Sequence, residues 1–143
     1  MLEILFSAIS YLGSPNVLIA IIGGTFFGII VGAIPGLGSL LGITVVLPFT
    51  FVLDQQSSIA LLLGTYCGSV YGGCIPAILI NTPGTPQSAA TLLDGYPMAR
   101  KGYPARAIGY ATVGSVIGGL FSCAVLVLVA PSLAAFGLRF GPI

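Results

Sequence analysis

The sequence has very little charge, since only seven of its 143 residues are Asp, Glu, Lys or Arg. A soluble domain carries roughly 25% charged residues, whereas this chain carries 5%. Fifty consecutive uncharged residues separate Glu3 from Asp54, and the mean hydropathy is +1.14. Uncharged apolar stretches of about 18 residues or more are typical of membrane spans. The composition therefore predicts an all-α membrane protein with several transmembrane helices.

Histidine is absent as well, which excludes His-based metal sites and catalysis by Ser-His or Cys-His pairs. The three cysteines, Cys67, Cys74 and Cys123, lie in apolar segments and form no C-x-x-C pair, so we expect small buried hydrophobic side chains. The net charge of +1 gives no basic excess for binding nucleic acid. The acidic residues form no pair at catalytic spacing. We therefore predict that the protein is not an enzyme and has no side-chain metal site.

Four apolar segments have the composition of membrane helices: 15–34, 40–53, 58–80 and 105–130. The second is short for a span and is predicted to be a short crossing or a re-entrant segment. Ser14 and Pro15 form a helix-start signal for the first span, and Ser39 is expected to cap the second. The segment 2–12 is too short to cross and is expected to lie at the interface or to lead into the first span.

Three of the four positive charges lie in a single loop, 93–106. The positive-inside rule places this loop in the cytoplasm and Asp54 on the opposite side. We predict a charged turn followed by a short helix, with Tyr96 as an interfacial anchor and the cations at lipid headgroups. The alternative is a gate beside a substrate path, formed by Asp94, Tyr96 and Arg100.

The last apolar segment carries small residues at three- and four-residue spacing: Gly114, Ser115, Gly118 and Gly119. Small residues on one face let membrane helices approach closely. This helix is expected to end near Ala130, because Pro131 follows.

Two uncharged segments, 32–39 and 71–88, interrupt the membrane pattern with proline and glycine. Irregular backbone at membrane depth is tolerated only inside protein or beside a watery cavity, and transporters place substrate and ion sites at such breaks. The N–H groups at a half-helix N-terminus suit a carboxylate, and the carbonyls at the C-terminus of the other half suit Na⁺. The alternative is that each break is a kink or a surface loop. The candidate binding residues are Pro35, Gly36, Gly38, Ser39, Asn81, Thr82, Pro83, Gly84 and Thr85.

Residues 32–38 resemble the Gly-x-x-Pro-Gly-x-Gly signature of the large transmembrane subunit of tripartite tricarboxylate transporters. Residues 71–84 are similar to that family's Tyr-Gly-Gly block, which continues into Ala-Ile-Leu-x-Asn-x-Pro-Gly. Residues 94–99 are similar to its Asp-Gly-Tyr-Pro-Met-Ala segment. Two shorter stretches, 48–51 and 140–142, also agree with the family's sequence pattern. The three motifs occur in the family's order and cover nearly the whole chain.

The resemblance implies the N-terminal portion of such a subunit, with broken helices that form half of an inverted-repeat transporter. It implies a multi-pass protein of the bacterial inner membrane that takes up tricarboxylates or related carboxylates with an ion gradient, commonly of Na⁺. The implied partners are a periplasmic substrate-binding protein and a small membrane subunit, and no cofactor beyond the coupling ion is expected.

Family members are much longer, so this chain is expected to be a fragment of a larger subunit. Two other functions stay open on the residues alone. One is a small homo-oligomeric channel, which requires a natural end at Ile143. The other is a non-transporting membrane assembly subunit, in which the glycine faces serve packing alone.

Overall fold

The computed structural model describes residues 13–137, which are helical along almost all of their length. Two short 3₁₀ helices, Leu47–Phe51 and Pro86–Ala90, lie among the α-helices. The segment 2–12 and the motif at 140–142 lie outside the described residues. The α-helices are α1 (Pro15–Gly32), α2 (Gly38–Val46), α3 (Gln55–Gly72), α4 (Cys74–Ile80), α5 (Thr91–Arg100) and α6 (Pro104–Gly137).

Three helical stretches are long and apolar enough to cross a membrane: Pro15–Gly32, Gln55–Ile80 and Pro104–Ala130. A fourth apolar stretch, Gly38–Phe51, is shorter. The prediction of an all-α membrane protein is confirmed by these helices.

Both α1 and α3 begin at a residue with extended backbone, Ser14 and Asp54 respectively. Pro15 follows Ser14 in the first turn, where its missing N–H costs nothing. The backbone N–H of Ser57 donates to Asp54 Oδ2 at 3.1 Å, so the carboxylate caps α3. The hydroxyl and the backbone amide of Ser57 lower the pKa of Asp54 below its ordinary value.

Helices α1 and α3 lie side by side, and they run in the same direction. Gly24 contacts the backbone of Leu61, and Gly32, further along α1, contacts the backbone of Ser69. Because the residue numbers at the contacts increase in the same direction along both helices, the two helices are parallel. A Cβ on Gly24 would lie 2.5 Å from the carbonyl oxygen of Leu61, so the helices touch through their backbones.

This contact repeats with an offset of 40 residues. Three glycines of α1 correspond to three of α3, and Thr25 corresponds to Thr65, each threonine lying against the glycine of the other helix. The capping positions 14 and 54 obey the same offset. The predictions from sequence do not include this repeat, although its signal is visible as two Gly-x₃-Gly-x₃-Gly series. The paired glycines are Gly24 with Gly64, Gly28 with Gly68, and Gly32 with Gly72.

Because α1 and α3 are parallel, the chain between them returns along the pair. Helix α2 and the first 3₁₀ helix together span about 23 Å, against about 27 Å for the 18 residues of α1. Asp54 consequently lies near Asn16, at the end where α1 begins, and both residues line one groove. Helix α2 begins at Gly38 with Leu37 as its capping residue, so the expectation that Ser39 caps it is wrong.

Helices α3 and α4 form one continuous apolar stretch, interrupted only at Gly73. The chain then folds back beside α4, and α5 runs alongside α4 in the same direction. Thr91 Oγ1 lies 3.6 Å from Cys74 Sγ at the start of both helices. Ile78, which is fully buried, packs against Gly95 one turn later. Arg100 therefore lies at the opposite end of this unit from Asp54.

The segment 93–106 differs from the predicted charged turn, because α5 includes Asp94 and Gly95 and only the residues after Arg100 form a turn. Gly95 stays helical because its missing side chain lets Ile78 pack against the backbone, which offsets the low helix propensity of glycine. Gly102, with φ +90°, closes the turn before α6.

The chain divides into two units between Ile108 and Gly109. In the second unit α6 continues to Gly137 instead of ending near Ala130. Pro131 removes one helical hydrogen bond, whereas ending the helix in apolar surroundings would leave several backbone groups without partners. Continuing the helix through Pro131 is therefore the less costly arrangement. A Cβ on Gly114, Gly118 or Gly119 would meet no described atom within 4 Å, so close packing of this face stays a prediction.

Candidate functional site

The first break reverses the chain at the end of α1. Two glycines adopt positive φ there, Gly36 at +92° and Gly38 at +65°. This region is strained for residues that carry a Cβ, so glycine is needed at both positions. The reversal turns the first residues of α2 toward the end of the α1–α3 pair.

The second break begins where α4 ends. Asn81 has left-handed backbone, with φ 57° and ψ 30°, and forms the C-cap of α4. The chain then returns until Gly84 contacts the backbones of Gly32 and Gly73. The backbone N–H of Gly84 donates to the carbonyl of Gly73 at 3.2 Å. Three glycines from three segments therefore bring the second break against the end of α1.

Buried hydroxyl groups stabilise the turn that follows. Thr85 is 2% exposed and Ser88 is 1% exposed. Ser88 Oγ donates to the carbonyl of Thr85 at 2.7 Å and accepts from the Thr85 backbone N–H at 3.3 Å. The bond from the Thr85 N–H to Ser88 Oγ is one half of a capping box that starts the second 3₁₀ helix, and the Thr85 side chain accepts in the other half. Thr85 thus shapes the break mainly through bonds within it.

The two breaks line a common, open cavity of about 490 Å³. The start of α2 lies on one side, and the start of the second 3₁₀ helix lies on the other. None of the lining residues carries a charge. They are Gly36, Gly38, Ser39, Leu40, Pro83, Gly84, Thr85, Pro86 and Gln87.

Most of the binding residues predicted from sequence are among those that line this cavity. Pro35, Asn81 and Thr82 are exposed and do not line it. Asn81 has a structural explanation as the left-handed cap of α4. The predicted residues that line the cavity are Gly36, Gly38, Ser39, Pro83, Gly84 and Thr85.

Three further lining residues, Leu40, Pro86 and Gln87, are absent from the predicted set. A signal for two of them was available, because Thr85 before Pro86 is a capping residue followed by proline, which marks a helix start. Gln87 then falls in the first turn of that helix. It is the longest polar side chain on the cavity wall.

The three residues proposed as a gate lie on α5 and do not line the cavity. Asp94 lies in the first turn of α5 and Arg100 in the last, where each charge complements the helix dipole. Tyr96 is half-buried. A gating role for these side chains stays a prediction. Among residues 13–137, no three His, Cys, Asp or Glu side chains are grouped to hold a metal ion.

Comparison with known protein families shows which family the chain belongs to. The family model described as "Tripartite tricarboxylate transporter TctA family" matches residues 18–143. The chain belongs to the TctA family. The resemblance seen in the three sequence motifs is thereby confirmed, and both cavity-forming breaks lie within the TctA match.

A curated relative from Agrobacterium vitis is 43% identical over 118 residues and bears the name "Uncharacterized 52.8 kDa protein in TAR-I ttuC' 3'region". The aligned part covers 82% of this chain and 24% of that relative, so the chain spans about a quarter of the relative's length. No solved structure matches the chain.

The TctA family is described as one of tripartite tricarboxylate transporters, and the chain matches that family over most of its length. Together with three helices that can span a membrane, this makes it a multi-pass membrane protein. The family consists of transporter components, in agreement with the expectation that the chain is not an enzyme.

Proposed function

We propose that this chain is part of the membrane subunit of a binding-protein-dependent secondary transporter in the bacterial inner membrane. The transporter takes up tricarboxylates or related carboxylates. A periplasmic substrate-binding protein delivers the substrate, and a small membrane subunit completes the complex. An ion gradient drives uptake, with Na⁺ as the coupling ion. Membership in the TctA family supports the transport function and the substrate class.

The observation that carries the proposal is the uncharged cavity between the two breaks. The first residues of α2, Gly38 and Ser39, line one side, and Pro86 and Gln87 line the other. The first-turn N–H groups of α2 have no helical acceptor, and the start of α2 carries a partial positive charge. Carboxylates bind favourably at such positions without a basic side chain. A site without a full positive charge also releases its anion more readily.

The coupling ion has a candidate location at the same break. Helix α1 ends at Gly32, where the carbonyls of Ile29 and Val31 accept from the N–H groups of Ala33 and Ile34. Each end carbonyl has a second lone pair that can face a cation. Backbone carbonyls are suitable ligands for a hard cation. Because no charged side chain lines the cavity, a cation beside the bound carboxylate would balance its charge. We therefore include Na⁺ at these carbonyls in the proposal.

Uptake measurements on the full-length subunit test the proposal. The subunit is reconstituted in vesicles with its small membrane subunit, and uptake of a labelled tricarboxylate is followed with and without binding protein and Na⁺. Gln87→Ala is expected to raise KM about tenfold, the cost of one lost hydrogen bond to a charged ligand. Uptake itself is expected to require both the binding protein and Na⁺.

Gln56→Ala is the matched control. Gln56 is also an exposed glutamine in the first turn of a helix, but it lies at the opposite end of the α1–α3 pair and does not line the cavity. Its substitution is expected to leave KM unchanged. An unchanged KM in Gln87→Ala would contradict the assignment of the cavity. Absence of tricarboxylate uptake in the wild type would contradict the transport proposal itself.

A further inference from the structure

A second cavity lies at the other end of the first unit and has a different chemistry. It is an open groove of about 820 Å³ between α1 and the returning segment 38–51. Its wall is apolar along most of its length and includes Ile19, Phe27, Val45 and Phe49. In a membrane, an apolar groove of this size accommodates an acyl chain, because pockets of 300–1,000 Å³ are typical for small ligands.

One end of this groove is polar. Asn16, in the first turn of α1, and Asp54, the cap of α3, both line it there. An aspartate is ionised at neutral pH at its ordinary pKa, and the bonds from Ser57 lower the pKa of Asp54 further. Among the described residues that line the groove, Asp54 is the only charged one.

We propose that the groove binds a phospholipid whose headgroup carries a primary amine. The ammonium group of the headgroup lies at the Asp54 carboxylate, and an acyl chain lies along the apolar wall. The phosphodiester lies near the start of α1, where first-turn N–H groups lack helical acceptors. This inference does not depend on the proposed transport function.

The charge at the polar end selects among headgroups. A net anionic headgroup is repelled by Asp54, because like charges disfavour each other at contact distance. A quaternary ammonium group has no N–H to donate to the carboxylate, whereas a primary ammonium has three. The amine-bearing zwitterion is therefore the headgroup that matches both the carboxylate and the helix start.

The geometry around Gly23 shows that the groove is a true gap. A Cβ built on Gly23, which lines the groove, meets no atom of the described residues within 4 Å. The adjacent Gly24 instead lies against the backbone of α3. A large side chain at position 23 would therefore fill the groove without disturbing the contact between α1 and α3.

Fluorescence quenching by brominated lipids tests the proposal on the full chain, which contains no tryptophan. Phe49→Trp places a probe on the groove wall, and Phe51→Trp places one on the same 3₁₀ helix outside the groove. Phosphatidylcholine vesicles contain a minor fraction of brominated phosphatidylethanolamine or brominated phosphatidylcholine. We expect Phe49→Trp to show a two- to fivefold preference for quenching by the ethanolamine lipid, roughly the strength of an exposed ion pair. Phe51→Trp is expected to show none.

Three second-site variants of Phe49→Trp separate the parts of the proposal. Asp54→Asn retains a good helix cap but loses the charge, so the preference is expected to disappear. Asp54→Glu keeps the charge, so the preference for the ethanolamine lipid is expected to persist. Gly23→Leu fills the groove and is expected to reduce quenching by both lipids, with helical circular dichroism unchanged.

Equal quenching of Phe49→Trp by the two lipids would overturn the proposal, as would a preference that survives Asp54→Asn. A Phe49→Trp probe shielded from both lipids, with Phe51→Trp still quenched, would also overturn it, because a protein segment or a second copy would then occupy the groove.

Discussion

Single glycine positions decide how closely the two central helices approach. At Gly24, Gly28 and Gly32 the backbone of α3 occupies the space that a Cβ would need. Helix packing inside a membrane depends on such contacts, because lipid gives no hydrophobic force between helices. Gly23 differs from these glycines, since a Cβ there would meet nothing within 4 Å in the part of the chain that the structure describes. Neighbouring glycines in one helix therefore have different tolerance for substitution.

This contrast gives a stability prediction. Gly28→Ala is expected to destabilise the fold by about 1–3 kcal/mol or more, because its Cβ would overlap the backbone of Thr65. Gly23→Ala is expected to stabilise it by up to about 1 kcal/mol, since alanine favours a helix. Unfolding in mixed micelles with rising dodecyl sulfate measures both changes. Equal responses of the two variants would contradict the backbone contact.

The residues of the two breaks differ in how well the sequence predicts their roles. Gly36 and Gly38 stand out because proline and glycine in an apolar run demand a break. The sequence predicts Asn81 as a binding residue, yet its backbone is left-handed and forms the C-cap of α4, where the N–H of Thr82 donates to the carbonyl of Pro76. A polar residue beside Pro and Gly gives the same sequence signal in both roles. Only the fold separates them.

At the scale of elements, the parallel pairing of α1 and α3 brings the breaks together. The sequence could not predict this pairing, because the 14 residues of Gly38–Phe51 are too few for an ordinary span and consistent with either a crossing or a re-entrant loop. The first 3₁₀ helix lengthens the return, since it rises about 2.0 Å per residue. Pro48, in its first turn, disfavours continuation of α2 as an α-helix.

The cap of α3 gives a prediction for pH. The folded-state pKa of Asp54 lies below its ordinary value, so its contribution to stability is complete above about pH 5, where the unfolded-state carboxyl is also ionised. That contribution is lost as the pH falls through the lowered pKa. The melting temperature in detergent is expected to fall between pH 5 and pH 2, and to fall less in Asp54→Asn. An identical fall in the variant and the wild type would count against the cap.

At the scale of the whole molecule, the described charges are distributed asymmetrically. Asp54 lies at one end of the first unit, and Arg100 and Lys101 lie at the other. Arg106, in the first turn of α6, stacks on Tyr103 with its guanidinium carbon 5.1 Å from the ring centre. Positive residues and aromatic rings next to an apolar helix are typical of the cytoplasmic interface.

Accessibility of single cysteines tests this orientation. With the three native cysteines replaced by serine, Lys101→Cys is expected to react with a membrane-impermeant maleimide only in inside-out vesicles. Gln56→Cys is expected to react only in intact cells with a permeabilised outer membrane. Both residues are exposed at ends of helices, so reactivity reports the side of the membrane. Labelling of both from one side would refute the predicted orientation.

The offset of 40 residues between α1 and α3 has a consequence for the origin of the helix pair. A capped helix duplicated in tandem would carry its cap position and its three glycine contacts into the second copy. The cavity walls do not obey this offset, because residues 76–80, which correspond to 36–40 in the first break, lie in α4. The close helix pair therefore follows from the repeat, whereas the cavity depends on how the chain continues after each copy. Corresponding positions, such as Gly28 and Gly68, are then expected to be equally sensitive to an added Cβ.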